Sequence, residues 1–246
     1  SSDFIEQWQT AAQKKLAAVT QTEVSVLDAQ QNFQFSVYIG AVFPMIARDS
    51  EQTSILIPIK NAANQAEIKT GMMAKKTIEP MPLTATPQHL SEMIQQLQNR
   101  AYGWGGVFFL NDCSQEMKSL FTPFGIWLPR NSGMQQQLNK TIDLSQYPVD
   151  ERLALLKTKG HALMTLVYKK GHIMLYVGNT KINNQLEAMS YQNVWGNFSK
   201  NNETRHVIGG SVFLLLLKIY PENTALKSQT DTPVFKLVQL DEVEPE

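Results

Sequence analysis

The stretch Tyr102-Gly-Trp-Gly-Gly106, with Asn111-Asp-Cys-Ser-Gln115 just after it, decides the fold of this 246-residue chain. Asp112, with a glutamine three residues later, approximates a capping box, which is typical of a helix start. Apolar residues then recur at helical spacing until a proline and a glycine interrupt the pattern. The sequence therefore predicts a glycine-rich loop that leads into a helix with Cys113 in its first turn.

Cys113 is the only cysteine of the chain and a candidate nucleophile. The unpaired N–H groups and the positive dipole end of a helix start favour a thiolate. This position therefore predicts a thiol pKa below the free value of about 8.5. A lone cysteine is also commonly a small buried apolar residue. A histidine close enough to take the thiol proton would distinguish the two interpretations.

The composition, with 43% hydrophobic and 18% charged residues, is that of an ordinary globular protein. The 22 basic residues balance 22 acidic ones without a basic run, so we expect no nucleic-acid partner. A single cysteine excludes an internal disulfide and a cysteine-based zinc site. The four histidines lack the spacing of common metal motifs, so we expect neither a metal nor a cofactor.

The apolar run Val212-Phe-Leu-Leu-Leu-Leu217 is far shorter than the roughly 20 residues that a membrane helix needs. We therefore expect a buried strand there, and no membrane span. The polar start of the chain shows no signal peptide, which fits either a cytoplasmic protein or the mature form of an exported one.

The chain divides into two regions of different pattern. In residues 1–85, a short helix is expected over Asp3 to Leu16. It precedes short β-rich runs, expected as strands over 24–26, 33–42, 55–59 and 65–69, which turn clusters separate. Such runs are typical of a small β-barrel. The stretch Pro80-Met-Pro-Leu-Thr-Ala-Thr-Pro87 is the expected link to a second domain over residues 86–246.

Helices come first and antiparallel strands afterwards in the second domain, which predicts an α+β fold. Thr86 and Pro87 indicate the start of its first helix. The segment Lys169-Lys-Gly171 is a hairpin signal between two strands. Strands are expected over 163–168, 172–177, 186–191, 208–220 and, as an edge strand, 234–240.

His172 is the candidate partner of the cysteine because it begins a predicted strand just after a glycine turn. Alternation places it on one face with Met174 and Tyr176. If the helix of Cys113 packs across this sheet, His172 could accept the thiol proton and return it to a leaving amine. A purely structural histidine is the competing interpretation, and His161 is the competing base.

Four segments together resemble the NlpC-type cell-wall peptidases, which are papain-like cysteine enzymes. The segments are Tyr102-Gly-Trp-Gly-Gly106, Asp112-Cys-Ser114, Phe124-Gly-Ile-Trp-Leu-Pro-Arg-Asn-Ser132 with Gln135, and Gly171-His-Ile-Met-Leu-Tyr-Val-Gly178. Their agreement in order and type is more specific than any one of them. The resemblance covers about residues 86–220, and the β-rich region before it is similar to the bacterial SH3-like barrels that accompany these peptidases.

The resemblance implies a cysteine peptidase that cuts murein stem peptides between γ-D-glutamate and the diamino acid. Cys113 would be its nucleophile and His172 its general base and acid. In the subgroup with accompanying barrels, a residue before an Asn-hydrophobic-Trp-Gly stretch orients the imidazole, and Gln192 stands at that place here. An amide oxygen can fix the imidazole tautomer, but it cannot stabilise an imidazolium as a carboxylate would.

The resemblance also implies a substrate pocket made by Tyr102, Asp112 and Ser114. These residues match those that bind the free amino terminus of the stem peptide in the family. A carboxylate beside a phenol and a hydroxyl is suited to an ammonium group, although Asp112 could equally serve only as a helix cap. A murein hydrolase works outside the cytoplasmic membrane, so the resemblance implies an extracytoplasmic protein, which we expect to be a monomer.

Two other functions stay open on the sequence. Gln192 and the additional barrel also fit a weakly active or inactive wall-binding or regulatory protein. The pair of Cys113 and His172 could instead serve an amidase or an acyltransferase, because the pair sets the chemistry and the pocket sets the substrate.

Overall fold

The structure is a computed structural model that describes residues 2–13, 15–138, 140–201 and 205–241. The chain divides into two compact units. The first comprises the residues up to Gln96 together with 119–127, and the second comprises 97–118 together with the residues from Leu128 onward.

The first unit contains a helix, α1 (Ser2–Ala12), and a strand-rich SH3-like region. The strands are β1 (Leu16–Val19), β2 (Val24–Leu27), β3 (Phe33–Val37), β4 (Val42–Arg48), β5 (Gln52–Lys60), β6 (Ala66–Ala74) and β7 (Ile78–Pro80). Their hydrogen-bonded order is β3-β2-β6-β5-β4-β1-β7. Period-2 alternation buries Thr53, Ile55 and Ile57 of β5, so one face of this strand enters the core.

Two boundaries in this region differ from the sequence prediction. The first helix ends at Ala12, because Leu16 pairs with Pro44 in the β1–β4 ladder. The run predicted as one strand over 33–42 is two strands, because Gly40 turns the chain with a φ of 83°. A Cβ at Gly40 would lie 2.7 Å from the backbone of Ser119, so only glycine fits this turn.

Helix α2 (Pro87–Leu97) begins where the sequence predicts it. The Thr86 hydroxyl accepts the backbone N–H of His89 at 3.2 Å, as an N-cap residue does. The apolar stripe of the helix is buried, namely Leu90, Met93, Ile94 and Leu97. Helix α3 (Cys113–Phe121) follows the glycine-rich loop, as predicted.

The second unit contains a six-stranded antiparallel sheet and two further helices, α4 (Ser132–Gln135) and α5 (Val149–Lys159). The strands are β8 (Thr141–Asp143), β9 (Thr165–Lys169), β10 (His172–Ile182), β11 (Gln185–Phe198), β12 (Arg205–Leu216) and β13 (Phe235–Gln239). Their order is β12-β11-β10-β9-β13-β8. The predicted α+β fold is confirmed.

The last strand does not lie where the sequence placed it. The stretch over 234–240 was expected at the edge of the sheet, but β13 lies between β9 and β8. The three residues of β8 form the edge instead, and so short a strand has too few positions to show an alternating pattern.

The apolar run from Val212 forms a strand, as predicted, and its residues up to Leu216 lie in β12. The expected burial is wrong for most of the run: Leu216 is buried, but Phe213 is 38% exposed, because β12 is an edge strand of the sheet. Among the described residues, no helix has the length and apolar character required to span a membrane.

The two faces of the sheet pack against different partners. On one face, Met174 and Tyr176 share a core with Leu153 and Leu156 of α5. On the other face, Tyr191 of β11 bonds to a side chain of α3. The helix that carries the cysteine therefore lies against one face and α5 against the other.

Arg152 of α5 joins three parts of the second unit from a buried position. Its guanidinium donates to four backbone carbonyl oxygens at 2.6–2.7 Å, those of Ser145, Tyr147, Thr230 and Thr232. It also lies 5.7 Å from the ring centre of Phe235. One side chain thus holds the loop before α5 and the segment before β13 together.

Replacing Arg152 with Met should lower the free energy of unfolding by about 3 kcal/mol, because four carbonyl groups, buried or partly buried, lose a charged donor. Urea unfolding followed by circular dichroism measures the change. Lys159→Met, at an exposed position of the same helix, is the control and should change stability by less than about 0.5 kcal/mol. Equal stability of the two variants would contradict the bracing role of Arg152.

Candidate active site

Cys113 is the first residue of α3 and is buried, with 6% of its surface exposed. Asp112 caps this helix, because its Oδ1 accepts the backbone N–H groups of Ser114 at 3.1 Å and Gln115 at 2.8 Å. The predicted helix start and the capping role of Asp112 are thus present in the structure.

The electrostatics of the thiol differ from the expectation. Burial raises the pKa of Cys113, and the charge of Asp112 adds to this effect. The backbone N–H groups of Ile173, Ser114 and Cys113 itself act on the sulfur in the opposite direction, but they do not outweigh burial. The expected lowering of the thiol pKa is therefore wrong. Desolvation destabilises the thiolate by more than the backbone N–H groups at the helix start stabilise it.

His172 forms a direct hydrogen bond with Gln192, which lies on the neighbouring strand and belongs to a network of buried side chains. The distance between His172 Nε2 and Gln192 Oε1 is 2.8 Å. The amide nitrogen of Gln192 donates to Ser190 Oγ at 2.8 Å and to Gln229 Oε1 at 2.9 Å. All four of these side chains are buried.

This network fixes which nitrogen of His172 carries the proton. The single proton of the Ser190 hydroxyl is donated to the Leu214 carbonyl at 3.1 Å, so Ser190 Oγ can only accept from Gln192. The amide oxygen of Gln192 must then face the ring, and His172 donates from Nε2. Nδ1 is left with its lone pair, which makes it the basic atom of the imidazole.

The sulfur of Cys113 lies at the peptide group that joins His172 to Ile173. The backbone N–H of Ile173, the residue after His172, hydrogen-bonds the sulfur. The thiol thus lies beside the peptide that carries the imidazole, although Cys113 and His172 are far apart in the sequence. His161, the competing base, instead bonds to Asp241 at 2.7 Å.

His172 is held in its neutral form. Burial, and after it the positive charge of Lys169, lowers the pKa of His172 to about 3, while the bond to Gln192 acts in the opposite direction. Lys169 pairs directly with His172 across the β9–β10 hairpin. Near neutral pH the site therefore rests as a neutral thiol beside a neutral imidazole.

The three predicted substrate-binding residues lie around the start of α3. The backbone N–H of Cys113 bonds to the phenol oxygen of Tyr102. Burial, together with the charges of Cys113 and Asp112, raises the pKa of Tyr102 to about 12, so the phenol keeps its proton. The Ser114 hydroxyl donates to Asp112 Oδ1 at 3.0 Å. The structure thus brings Tyr102, Asp112 and Ser114 together beside the thiol.

Arg130 is a part of this site that the sequence reasoning did not single out. It pairs with Asp112 through two bonds, of 3.1 Å from Nη1 and 2.9 Å from Nη2, and also donates to Ser114 Oγ at 3.1 Å. Although burial opposes it, the guanidinium and the helix N–H groups hold the pKa of Asp112 below its usual range. Asp112 is therefore an ionised and already compensated carboxylate. Arg130 lies in the quoted segment 124–132, but nothing in that pattern links it to Asp112.

Glu116 is the second residue that the sequence reasoning missed. Its carboxylate is fully buried and accepts from Tyr191, from Ser211 at 2.7 Å and from Asn111 at 2.6 Å. Burial raises its pKa. These bonds fasten the helix of Cys113 to β11 and β12, yet in the sequence Glu116 looks like an ordinary exposed helix residue.

Gln229 is the third missed residue. It lies on an irregular segment, and its side chain accepts a hydrogen bond from Gln192. Within the described part of the chain, no cluster of three or more His, Cys, Asp or Glu side chains could hold a metal ion.

Comparison with known proteins places these residues in a family. Residues 99–207 match the model of the NlpC/P60 family, and residues 1–50 match that of the SH3 domain of SH3b2 type. This chain carries an NlpC/P60 domain. The match spans Cys113, His172 and Gln192, and the resemblance predicted from the sequence is confirmed.

Two curated relatives are both named probable endopeptidase p60. The protein of Listeria innocua serovar 6a is 34% identical over 114 residues, which are 42% of this chain and 22% of that protein. The protein of Listeria monocytogenes serovar 1/2a is 34% identical over 108 residues, which are 42% of this chain and 20% of that protein. The chain thus matches about a fifth of the length of each.

Solved structures extend the likeness to nearly the whole chain. An NlpC/P60 endopeptidase of Photobacterium damselae subsp. piscicida is 26% identical with a TM-score of 0.78, over 99% of this chain and 56% of that one. An NlpC/P60 family protein of Bacillus cereus shares the fold at 13% identity and a TM-score of 0.58, over 91% of this chain and 65% of that one.

The buried thiol predicts slow alkylation of Cys113 in the folded protein. The rate of reaction with iodoacetamide should rise with pH only above the ordinary pKa range of a free thiol, because the reactive thiolate forms there. Since Cys113 is the only cysteine, mass spectrometry of the intact chain reads its reaction directly. The chain unfolded in urea is the control and should react faster at pH 7. Rapid alkylation of the folded protein below pH 7 would instead indicate a preformed thiolate–imidazolium pair.

Proposed function

We propose that this protein is a cysteine endopeptidase that hydrolyses the bond between γ-D-glutamate and the diamino acid in murein stem peptides. The observation that carries the proposal is the arrangement of Cys113, the Ile173 peptide, His172 and Gln192 inside an NlpC/P60 domain. The relatives named endopeptidases support the peptidase chemistry. The substrate places the protein outside the cytoplasmic membrane, where it acts as a monomer on peptidoglycan.

The reaction begins from neutral groups. Nδ1 of His172 takes the thiol proton as the sulfur of Cys113 attacks the γ-carbonyl carbon, so charge forms only as the new C–S bond forms. The imidazolium then gives this proton to the nitrogen of the diamino acid as the C–N bond breaks. Water, deprotonated by His172, finally attacks the acyl-enzyme and releases the glutamate carboxylate and the thiol.

The oxyanion of the tetrahedral intermediate forms next to two donors. The backbone N–H of Cys113 and the protonated phenol of Tyr102 bond to each other in the free protein. The backbone N–H is fixed at the helix start, whereas the phenol hydroxyl can rotate toward the developing negative charge. Both would then donate to the oxyanion, which replaces their mutual bond with two charge-assisted ones.

The amino end of the stem peptide binds beside Asp112 and Ser114 in this proposal. Because Arg130 already compensates Asp112, an incoming ammonium group shares the carboxylate with the guanidinium. The binding of the ammonium therefore depends on the oxygens of Tyr102 and Ser114 as well as on charge.

The second candidate function is a weakly active wall-binding protein. The raised pKa of Cys113 and the neutral amide at Gln192 favour it, because neither a thiolate nor an imidazolium is stabilised before substrate binds. Substrate turnover distinguishes this candidate from the peptidase.

Incubation with L-Ala-γ-D-Glu-diaminopimelate should release L-Ala-γ-D-Glu, as detected by mass spectrometry. Cys113→Ala should abolish the release, because it removes the nucleophile. Lys118→Ala, an exchange of a partly exposed residue on the same helix, is the folding control and should stay active. If the wild type and Cys113→Ala are equally inert, the peptidase proposal fails for this substrate class and the wall-binding candidate gains support.

Gln192→Ala should lower kcat by about 100-fold with little change in KM, because the imidazole loses the group that fixes its tautomer. Steady-state kinetics on the same peptide measure both constants. Gln185→Ala, at an exposed glutamine of the same strand, should leave kcat unchanged. Full activity of Gln192→Ala would remove Gln192 from the catalytic arrangement.

A further inference from the structure

Lys169 is a charged residue beside the catalytic pair that the proposed mechanism does not use. It ends β9 and pairs directly with His172 of β10 in the hairpin. Directly opposite residues of an antiparallel pair carry their side chains on the same face, with Cβ atoms about 5 Å apart. On its other side, Lys169 pairs with the buried Phe235 of β13. The lysine is thus held between an apolar ring and the imidazole.

A second lysine lies close to the first. Lys227 belongs to the segment that also carries Gln229, and this segment is fastened to β11 by the bond from Asn197 to the Lys227 carbonyl at 2.9 Å. The charge of Lys227 acts on Lys169, and the charge of Lys169 acts on both Cys113 and His172. Lys169 therefore lies near the reacting groups, and Lys227 lies near Lys169 on a different part of the fold.

Neither ammonium group is compensated within the described residues. Neither lysine forms an ion pair or a side-chain hydrogen bond there, in contrast to the pairing of Arg130 with Asp112. Burial and the neighbouring Lys227 lower the pKa of Lys169 to about 8, so it still carries its charge at pH 7. Two partly buried positive charges that lack a counter-ion destabilise the folded protein. An anionic ligand bound between them would remove this destabilisation.

We propose that Lys169 and Lys227 form a subsite for a free carboxylate of the substrate, next to the bond that is cut. This inference rests on the proposed function and names the determinant of its substrate choice. The position of Lys169 beside His172, which returns the proton to the leaving amine, favours the side-chain carboxylate of the leaving diamino acid. The α-carboxylate of the glutamyl residue is the other source of the same chemistry.

Three peptides test the subsite. They are L-Ala-γ-D-Glu-diaminopimelate, the same peptide with the side-chain carboxylate of diaminopimelate amidated, and the same peptide with the glutamyl α-carboxylate amidated. We expect amidation at the diaminopimelate to lower kcat/KM of the wild type about tenfold, because a charge-assisted contact is lost. A loss confined to the glutamyl amide would support the subsite with the other carboxylate as its ligand.

Variants of Lys169 distinguish a direct contact with the substrate carboxylate from the effect of the lysine charge on His172. Lys169→Met should lose the preference for the free carboxylate, and Lys169→Arg should keep it. Because removal of the charge also changes the basicity of His172 toward every peptide, the ratio of kcat/KM between peptides is the readout. Lys170→Met, at the exposed neighbouring lysine of the hairpin, is the matched control and should preserve the wild-type ratio.

The results that would contradict the subsite differ from those that would contradict the proposed peptidase function. Equal cleavage of all three peptides by the wild type would overturn the subsite and leave the peptidase intact. If no peptide is cleaved, calorimetric binding of the three peptides to Cys113→Ala, with and without Lys169→Met, decides the matter. Equal binding of free and amidated peptides would then overturn the subsite, and weaker binding of an amidated peptide that depends on Lys169 would support it.

Discussion

The hydrogen bond between His172 Nε2 and Gln192 Oε1 is the contact on which the site depends. Its direction is fixed because the amide of Gln192 cannot flip. The amide nitrogen donates to Ser190 and Gln229, so the amide oxygen has to face the imidazole. The orientation of one buried amide thus sets the tautomer of the imidazole. Since Ser190 and Gln192 lie on one strand and His172 on the next, the register of β10 and β11 is also what positions the base.

Burial acts on this site in two opposing ways. It excludes water and keeps both the thiol and the imidazole neutral, which removes the advantage of a helix start for forming a thiolate. The same low-polarity surroundings strengthen every bond to a charge that develops later in the reaction. A site of this kind has little reactivity toward general electrophiles, and it gains its nucleophile only when a bound carbonyl accepts the charge.

Local patterns predicted the parts of the fold that depend on neighbours in sequence. The cap at Asp112, the buried stripe of α2 and the turn before His172 are fixed within a few residues, so their signals are readable. The position of β13 inside the sheet depends on pairing with β8, which is too short to be recognised. The site residues missed by the sequence share this property, because Arg130 and Glu116 acquire their roles only through partners that the fold brings to them. The resemblance named the Cys113–His172–Gln192 set, but it could not reveal that burial would raise the thiol pKa.

Charge compensation differs between the two kinds of ionic group near Cys113. Asp112 has its counter-ion within the chain, and its bonds to Arg130 and to the start of α3 make it a rigid part of the scaffold. Lys169 and Lys227 have no such counter-ion among the described residues, although their positions are equally fixed by strand pairing and by the Asn197 bond. The fold supplies a cationic counter-ion for Asp112 but, among the described residues, no anionic counter-ion for the two lysines, so positive charge is left uncompensated near the reacting centre. An anionic substrate group can neutralise it, so the uncompensated lysines, more than the balanced Asp112, are where charge can distinguish one peptide from another.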